Sequence, residues 1–236
     1  MNICVIVPVY NLGSNRFENF KFQIINLVKQ KVPNIYVLEQ KTDKKNVNEF
    51  TKLFGNIKYI PISISENTFN KSELINTFIS TCNYEYIWML DCDIYLNFSY
   101  VLKNIPQKFE FIRPYEYIIK LNDEESKNLL RTDTINIQQT PTTMNNAFGK
   151  YSFIICKNLF KQIGGYDINF KGWGYQDLDL VKRLPSKSKF GYTDNIGFHL
   201  YHQPASLSNY DQNKTIYFEK HFNKVSKPRK KILKQK

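Results

Sequence analysis

From Ile3 to Leu90 the chain alternates short apolar runs with stretches of helical spacing, and few folds accept that order. Ile3 to Val9 is a β-branched run that breaks at Pro8 and Asn11, which predicts a buried first strand feeding a loop. Phe20, Ile24, Leu27 and Val28 then recur at helical spacing within 17–29, and Leu74, Ile75, Phe78 and Ile79 do so within 72–81. Between and after them, Ile35 to Leu38, Ile57 to Ile62 and the run Ile87 to Leu90, ending at Asp91, read as strands, with a helix or loop starting in 41–48. Strand and helix in alternation give a mostly parallel sheet wound by right-handed crossovers, an α/β fold.

Beyond Asp93 the pattern loosens. Strands are expected at 109–113, 118–121, 148–156 and 197–201, with helices at 157–163 and 177–184, while 122–143 reads as polar and irregular. No composition break occurs before Phe222, so residues 1–222 read as one domain and 223–236 as a basic tail. The formal charge of +12 raises nucleic acid, membrane or another polyanion as partners, but seven cationic side chains follow Phe222 with no acid among them. The body is therefore only mildly basic. It carries no nucleic-acid recognition motif, and the tail lacks the interleaved aromatics of a single-strand binder. A weak contact with an anionic membrane suits such a tail.

Cys4, Cys82, Cys92 and Cys156 are scattered, which fits buried thiols better than disulfides or a zinc site. Neither a signal peptide nor a membrane-length apolar run is legible, and the expected location is cytoplasmic. The sequons at Asn70, Asn97 and Asn213 then carry little meaning.

Three stretches carry chemistry. The first is Tyr86 to Tyr95, Y-I-W-M-L-D-C-D-I-Y, where an apolar strand ends on Asp91 and Asp93. Alternation puts both carboxylates on one face, where they repel unless a cation or donors sit between them. An acidic strand-to-turn junction explains the pair as simply, so its company decides. The second is Ile163 to Asp179, I-G-G-Y-D-I-N-F-K-G-W-G-Y-Q-D-L-D. Its glycines permit close approach to a ligand, and Trp173 offers a flat face on which sugars stack. Asp177 and Asp179 open a helix there, as caps or as catalytic groups. The third is Gly197 to Pro204, G-F-H-L-Y-H-Q-P. His199 and His202, together with an acid pair, make a reasonable ligand set for manganese, whereas His221 lacks such company.

Taken together, these segments resemble the inverting GT-A glycosyltransferases. Val5 to Asn11 (V-I-V-P-V-Y-N) is similar to their opening strand and loop. Ile35 to Gln40 (I-Y-V-L-E-Q) and Phe69 to Asn76 (F-N-K-S-E-L-I-N) resemble segments of the β-1,4-galactosyltransferases. Leu90 to Asp93 matches the D-x-D element, Gly164 to Asp179 is similar to the G-W-G-x-E-D segment, and H-Q-P at His202 resembles the histidine segment of chondroitin-polymerase-type transferases.

The resemblance implies a GT-A fold and a metal-dependent inverting transferase that moves a sugar from a UDP-sugar donor to a hydroxyl of a glycan or glycoconjugate acceptor. It implies Mn2+ or Mg2+ on Asp93 and His202, with His199 as the fallback ligand. Pro8, Tyr10, Asn11, Gln40, Phe69, Lys71 and Asp91 would line the donor site, with Phe69 against the uracil and Asp91 near the ribose or sugar. Trp173, Gly174, Gln176 and Asp179 fall on the acceptor side, and Asp177 matches the catalytic base. Gln176 stands where the family usually has Glu, and Lys71 where the galactosyltransferases carry Arg. A catalytically decayed nucleotide-sugar or glycan binding module is the alternative reading. The polar segment after His202, A-S-L-S-N-Y-D-Q-N, is expected to act as a lid.

Overall fold

The computed structural model describes residues 1–43, 45–105, 108–134, 144–145, 149–204 and 207–222. The basic tail, and Ala205 and Ser206 of the expected lid, lie outside the described residues. In chain order the first half runs β1 (Ile3–Val9), α1 (Ser14–Lys29), β2 (Ile35–Gln40), α2 (Asn46–Thr51), β3 (Ile57–Ile62), α3 (Lys71–Thr81) and β4 (Tyr86–Leu90). It continues with β5 (Ile94–Tyr95), α4 (Phe98–Asn104), β6 (Phe111–Arg113), β7 (Tyr117–Lys120), α5 (Asp123–Thr132) and β8 (Met144–Asn145). The last elements are β9 (Ser152–Cys156), α6 (Lys157–Gln162), α7 (Gln176–Lys182), β10 (Phe190–Tyr192), β11 (Ile196–His199) and α8 (Tyr210–His221).

Among the described residues the strands form a seven-stranded sheet, in the order β10-β6-β9-β4-β1-β2-β3, and a four-stranded one, β5-β11-β7-β8. β1 pairs in parallel with β2 and β4, β2 with β3, and β6 with β10, while β9 runs antiparallel between β4 and β6. This is the mostly parallel α/β sheet that the alternation predicts.

Every residue of β1 is buried because both faces of the sheet are covered. Val5, Val7 and Val9 pack with Phe20, Ile24 and Leu27 of α1 on one face. Cys4 and Ile6 pack with Leu74, Ile75 and Phe78 of α3, and with Leu159 and Phe160 of α6, on the other. The buried Trp88 indole N–H donates to Ser152 Oγ at 2.8 Å, so the largest core side chain leaves no polar atom unpaired.

Two features of this sheet locate the cleft. The chain order reverses at β1, which has β2 on one side and β4 on the other, and ligands of open α/β sheets bind at the strand carboxyl ends of such a switch point. The β1–β4 register also ends at Ile6–Met89, whereas β1 stays paired to β2 as far as Val9–Glu39. Pro8, which has no N–H to give, therefore sits where the two strands part.

The structure departs from the sequence reading in several places. Asp91 and Asp93 do not share a strand face: β4 stops at Leu90, and the pair brackets a turn in which Ile94 N donates to Asp91 O at 3.3 Å. The polar stretch after Leu121 is not irregular throughout, because Asn122 and Glu125 form a reciprocal capping box that starts α5. Helix α4 begins at the Asn97 cap, where no element was expected. The expected lid also contains the start of α8, whose inward face uses Asn213 and aromatic rings rather than aliphatic residues.

The four cysteines are free, as expected of isolated thiols. Among the described residues no helix is long and apolar enough to cross a membrane. The capping box gives a direct stability test: Asn122→Ala should lower unfolding free energy by about 1 kcal/mol in urea denaturation with the m-value unchanged. An unaltered midpoint would show that α5 does not depend on this cap.

Candidate active site

The cleft collects three carboxylates, and cationic partners divide them into two groups. Asn70 caps α3 by accepting from Glu73 N at 3.0 Å, which places Lys71 in the first turn with its ammonium over the cleft. Lys71 Nζ lies 2.8 Å from Asp91 Oδ1 and 3.3 Å from Asp177 Oδ2, so one lysine bridges the end of β4 to the start of α7. Tyr166 donates to Asp177 Oδ1 at 2.6 Å. Burial pushes the Tyr166 hydroxyl up, and the Asp177 charge adds to it, so that proton stays on the phenol.

This group holds one ammonium between two carboxylates and is net negative. Burial, resisted by Lys71 and reinforced by the Asp177 and Asp93 charges, raises the Asp91 carboxyl to about 6. Burial would lower the Lys71 ammonium, but Asp177 and Asp91 outweigh it and hold the proton on.

The second group surrounds Asp93, which is 5% exposed. His202 Nε2 is 3.1 Å from Asp93 Oδ2, and His199 Nε2 is 3.8 Å from Asp93 Oδ1. Leu200 N donates to Asp93 O at 2.9 Å and so ties the end of β11 to the turn after β4. Burial would raise the Asp93 carboxyl, yet the two imidazoles and Arg16 bring it down to about 2. His199 is lowered by burial, whereas the Asp93 hydrogen bond raises His202 against its own burial.

One ligand atom from each of Asp93, His199 and His202 falls within 4.8 Å of the others. A carboxylate oxygen and two imidazole nitrogens at that spacing fit a divalent first-row cation. Both Arg16 Nη2, at 3.0 Å, and the Gln203 carbonyl, at 2.8 Å, approach His202 Nδ1, which can serve only one of them in a given tautomer. Donation to Gln203 leaves the Nε2 lone pair facing the Asp93 side, as a ligand requires.

The loops at the ends of β1 and β3 supply an aromatic wall. Tyr10 and Phe69 lie parallel, with centroids 5.7 Å apart and planes within 1°. Asn11, with φ of 42°, turns the chain away after β1. Gln40, expected to contact the donor, has its amide fully committed: Nε2 donates to Glu66 O and Thr68 O, and Oε1 accepts from Asn70 N. It therefore holds the loop that carries Phe69 and has no free group for a ligand.

On the other side, Trp173 is 52% exposed and stacks on Tyr210, with centroids 5.3 Å apart. Gly172 and Gly174 take φ of 65° and 107°, a backbone only glycine adopts without strain. Gln176 folds back to donate to Gly172 O at 2.7 Å, so its amide closes the loop from within.

Asp179 corrects the acceptor-side expectation. It is fully buried and receives Arg183, Lys220 Nζ at 2.9 Å and His221 Nε2 at 2.8 Å, so no oxygen faces an acceptor. His221, read from sequence as lacking company, is thus paired to it. Arg16, Tyr166, Tyr210 and Asn213 also belong to this neighbourhood, and sequence reasoning missed them. Only the Y-D after the paired glycines and the N-K-T at Asn213 were visible, and neither carries a chemical signature.

The chain matches the family model described as "Glycosyltransferase like family 2" over residues 4–234. No curated protein sequence matches it. Among solved structures, GalNAc-T7 with UDP, GalNAc and Mn2+ is similar at TM-score 0.62 and 12% identity, covering 93% of this chain and 48% of that one. The catalytic domain of Drosophila beta1,4galactosyltransferase 7 in complex with xylobiose is similar at TM-score 0.56 and 16% identity, over 90% of this chain and 79% of that one. Mannosyltransferase PcManGT from Pyrobaculum calidifontis, with GDP-Man and Mn2+, gives TM-score 0.60 at 13% identity, over 94% and 63%. At these identities the likeness is one of fold, and this chain spans about half the length of the GalNAc-T7 chain.

Lys71→Met leaves Asp91 and Asp177 facing each other without a cation. Because both carboxylates are partly exposed, the expected loss of stability is about 1–3 kcal/mol at pH 7. Without Lys71 to lower it, the Asp91 carboxyl rises further in the folded variant, so its protonation relieves the repulsion and the deficit should shrink as pH falls toward 4. Thermal melts of both proteins across that range check the sign; a deficit that grows on acidification contradicts it.

Proposed function

Since the chain belongs to the glycosyltransferase-like family 2, we propose that residues 1–222 form one catalytic domain that transfers a sugar from a UDP-sugar to a glycan or glycoconjugate hydroxyl, with inversion. The observation that carries this reading is the single cleft in which Asp93 meets two imidazoles while Lys71 ties Asp91 to Asp177. An isolated acid pair has many explanations; this convergence of three distant segments on a switch point has few.

The donor base lies against the Tyr10–Phe69 wall, with Pro8 and Asn11 at the mouth of the parted strands. The diphosphate faces Arg16 and Lys71, cations that reach the cleft from α1 and α3. A divalent cation on Asp93, His199 and His202, with manganese the best match to imidazole plus carboxylate, supplies Lewis-acid neutralisation of the leaving group when bound. Asp91 faces the ribose or sugar once the donor draws Lys71 toward the phosphates.

Trp173 forms the floor beneath the acceptor. Asp177 Oδ2, which Tyr166 does not engage and which Lys71 releases as it turns to the phosphates, takes the proton of the acceptor hydroxyl as the hydroxyl oxygen bonds to the anomeric carbon. The bond from that carbon to the diphosphate breaks, and its electron pair leaves with the nucleotide. A single base opposite the leaving group gives one displacement and inverted configuration. Gln176 does not mark decay under this reading, because its amide has a structural partner in Gly172.

Asp177→Asn should lower kcat about 10²–10⁴-fold while the Kd for UDP with Mn2+ stays within a few fold. Unchanged turnover would rule out Asp177 as the base. Arg16→Ala should instead weaken UDP binding by about tenfold with less effect on turnover, since a charge-assisted hydrogen bond contributes about 1.5–3 kcal/mol before solvent screening. Calorimetric titration separates the two variants, and equal UDP affinity in Arg16→Ala and wild type would place the diphosphate elsewhere. A binding module would show UDP-sugar affinity without turnover in any of these proteins.

A further inference from the structure

The loop 171–175 leads into α7 and reaches another segment by one backbone bond, Gly172 N to Phe69 O at 2.7 Å, and three of its residues, Gly172, Gly174 and Tyr175, take positive φ. Such a backbone persists only when its surroundings hold it. The holding group comes from α8. Asn213, 1% exposed, directs its Nδ2 at Lys171 O, Trp173 O and Gly174 O at 2.8, 3.2 and 3.0 Å, and its Oδ1 accepts from Lys171 N at 3.3 Å. Two amide protons are shared among three carbonyls, so one side chain fixes the peptides that follow Lys171, Trp173 and Gly174, while Gln176 holds the one before Trp173 through Gly172 O.

The rest of α8 reinforces that grip. Tyr210, one turn earlier, stacks on Trp173 and fills the space beside Gly174, where a Cβ would come within 2.9 Å of its ring. At the far end, Lys220 and His221 bind the buried Asp179 of α7, the helix whose first turn bears Asp177. The helix therefore spans the acceptor loop at one end and the base-bearing helix at the other. The donor wall has its own support in Gln40, which holds the carbonyls of Glu66 and Thr68, and it meets the Trp173 loop through Gly172 N on Phe69 O and Lys171 on Glu66.

We propose that α8 is the positioning element of the acceptor half-site and that Asn213 is its key residue, orienting Trp173 relative to Asp177 without touching substrate. The proposal rests on the transferase reading above, and it makes acceptor use separable from donor use. The same burial also makes the Asn213 sequon inaccessible to modification in the folded chain.

Two readouts test it, one independent of catalysis. Trp173 is half exposed and Trp88 is buried, so acrylamide quenching of the native protein reports Trp173. Asn213→Ala and Tyr210→Ala should each raise the quenching constant, while Tyr210→Phe, which keeps the ring, should match wild type. In steady-state assays the two alanine variants should lose about 10- to 100-fold in kcat/KM for the acceptor, the scale expected when a reacting group is held slightly out of place. Their donor KM and their acceptor-free hydrolysis of the nucleotide sugar should stay within about twofold, because uniform binding of the donor is untouched. Wild-type quenching and acceptor kinetics in both alanine variants overturn the proposal, as does an equal loss of acceptor and donor function. Should Asn213→Ala fail to fold, Tyr210→Ala against Tyr210→Phe decides alone. A wild-type protein that transfers no sugar defeats the transferase reading, while the quenching series still decides whether α8 orders the loop.

Discussion

Everything in this cleft depends on distributing negative charge that the fold has gathered in one place. Asp91, Asp93 and Asp177 converge on the carboxyl ends of β1 and β4, in surroundings where unpaired carboxylates are costly. Lys71 serves two of them and the imidazoles of His199 and His202 serve the third. Removing Lys71 would leave Asp91 and Asp177 to repel across a short gap. The same arrangement suits a reaction that brings in a diphosphate, since Lys71 and Arg16 can turn from protein partners to phosphate oxygens.

The cleft is also built from two halves supported in different ways. The donor half stands on the sheet: Pro8 lies where β1 and β4 part, and Gln40 holds the loop that carries Phe69. The acceptor half hangs on helices packed later in the chain, with Asn213 gripping the Trp173 loop and Asp179 fastening α8 to α7. The two halves meet at Gly172 N on Phe69 O and at the Lys171–Glu66 ion pair, so under the proposed reading the Trp173 loop can vary its exposed face while those contacts keep it in register with the Phe69 loop.

Much of the sheet was legible because the β-branched runs and helical spacing up to Leu90 obey local rules, and the structure keeps that order. The histidine pair was legible because imidazoles close in sequence to a strand end, in a chain with an early acid pair, point to a metal. What was not legible depended on tertiary placement. The turn that separates Asp91 from Asp93 looks like a strand continuation to periodicity, since Ile94 and Tyr95 resume an apolar run. Asp179 read as an acceptor contact and His221 as idle, because the contact joining them spans helices far apart in sequence. The α5 capping box was present as N-x-x-E and could have been read, but the polar composition around it masked the signal. Helix α8 escaped because its buried face is amide and aromatic rather than aliphatic, and aliphatic periodicity is what a sequence scan detects.

The central claim is that Asp93, His199 and His202 hold one divalent cation beside the nucleotide. The chain has three histidines, and the third, His221, is committed to Asp179 on another helix. Titrating Mn2+ in the presence of UDP while recording imidazole proton resonances tests the claim most directly, because a paramagnetic ion broadens the nuclei nearest to it. Selective loss of the His199 and His202 signals at low Mn2+, with His221 still sharp, is the predicted result. Retention of all three signals at saturating Mn2+, or selective loss of His221, would contradict it.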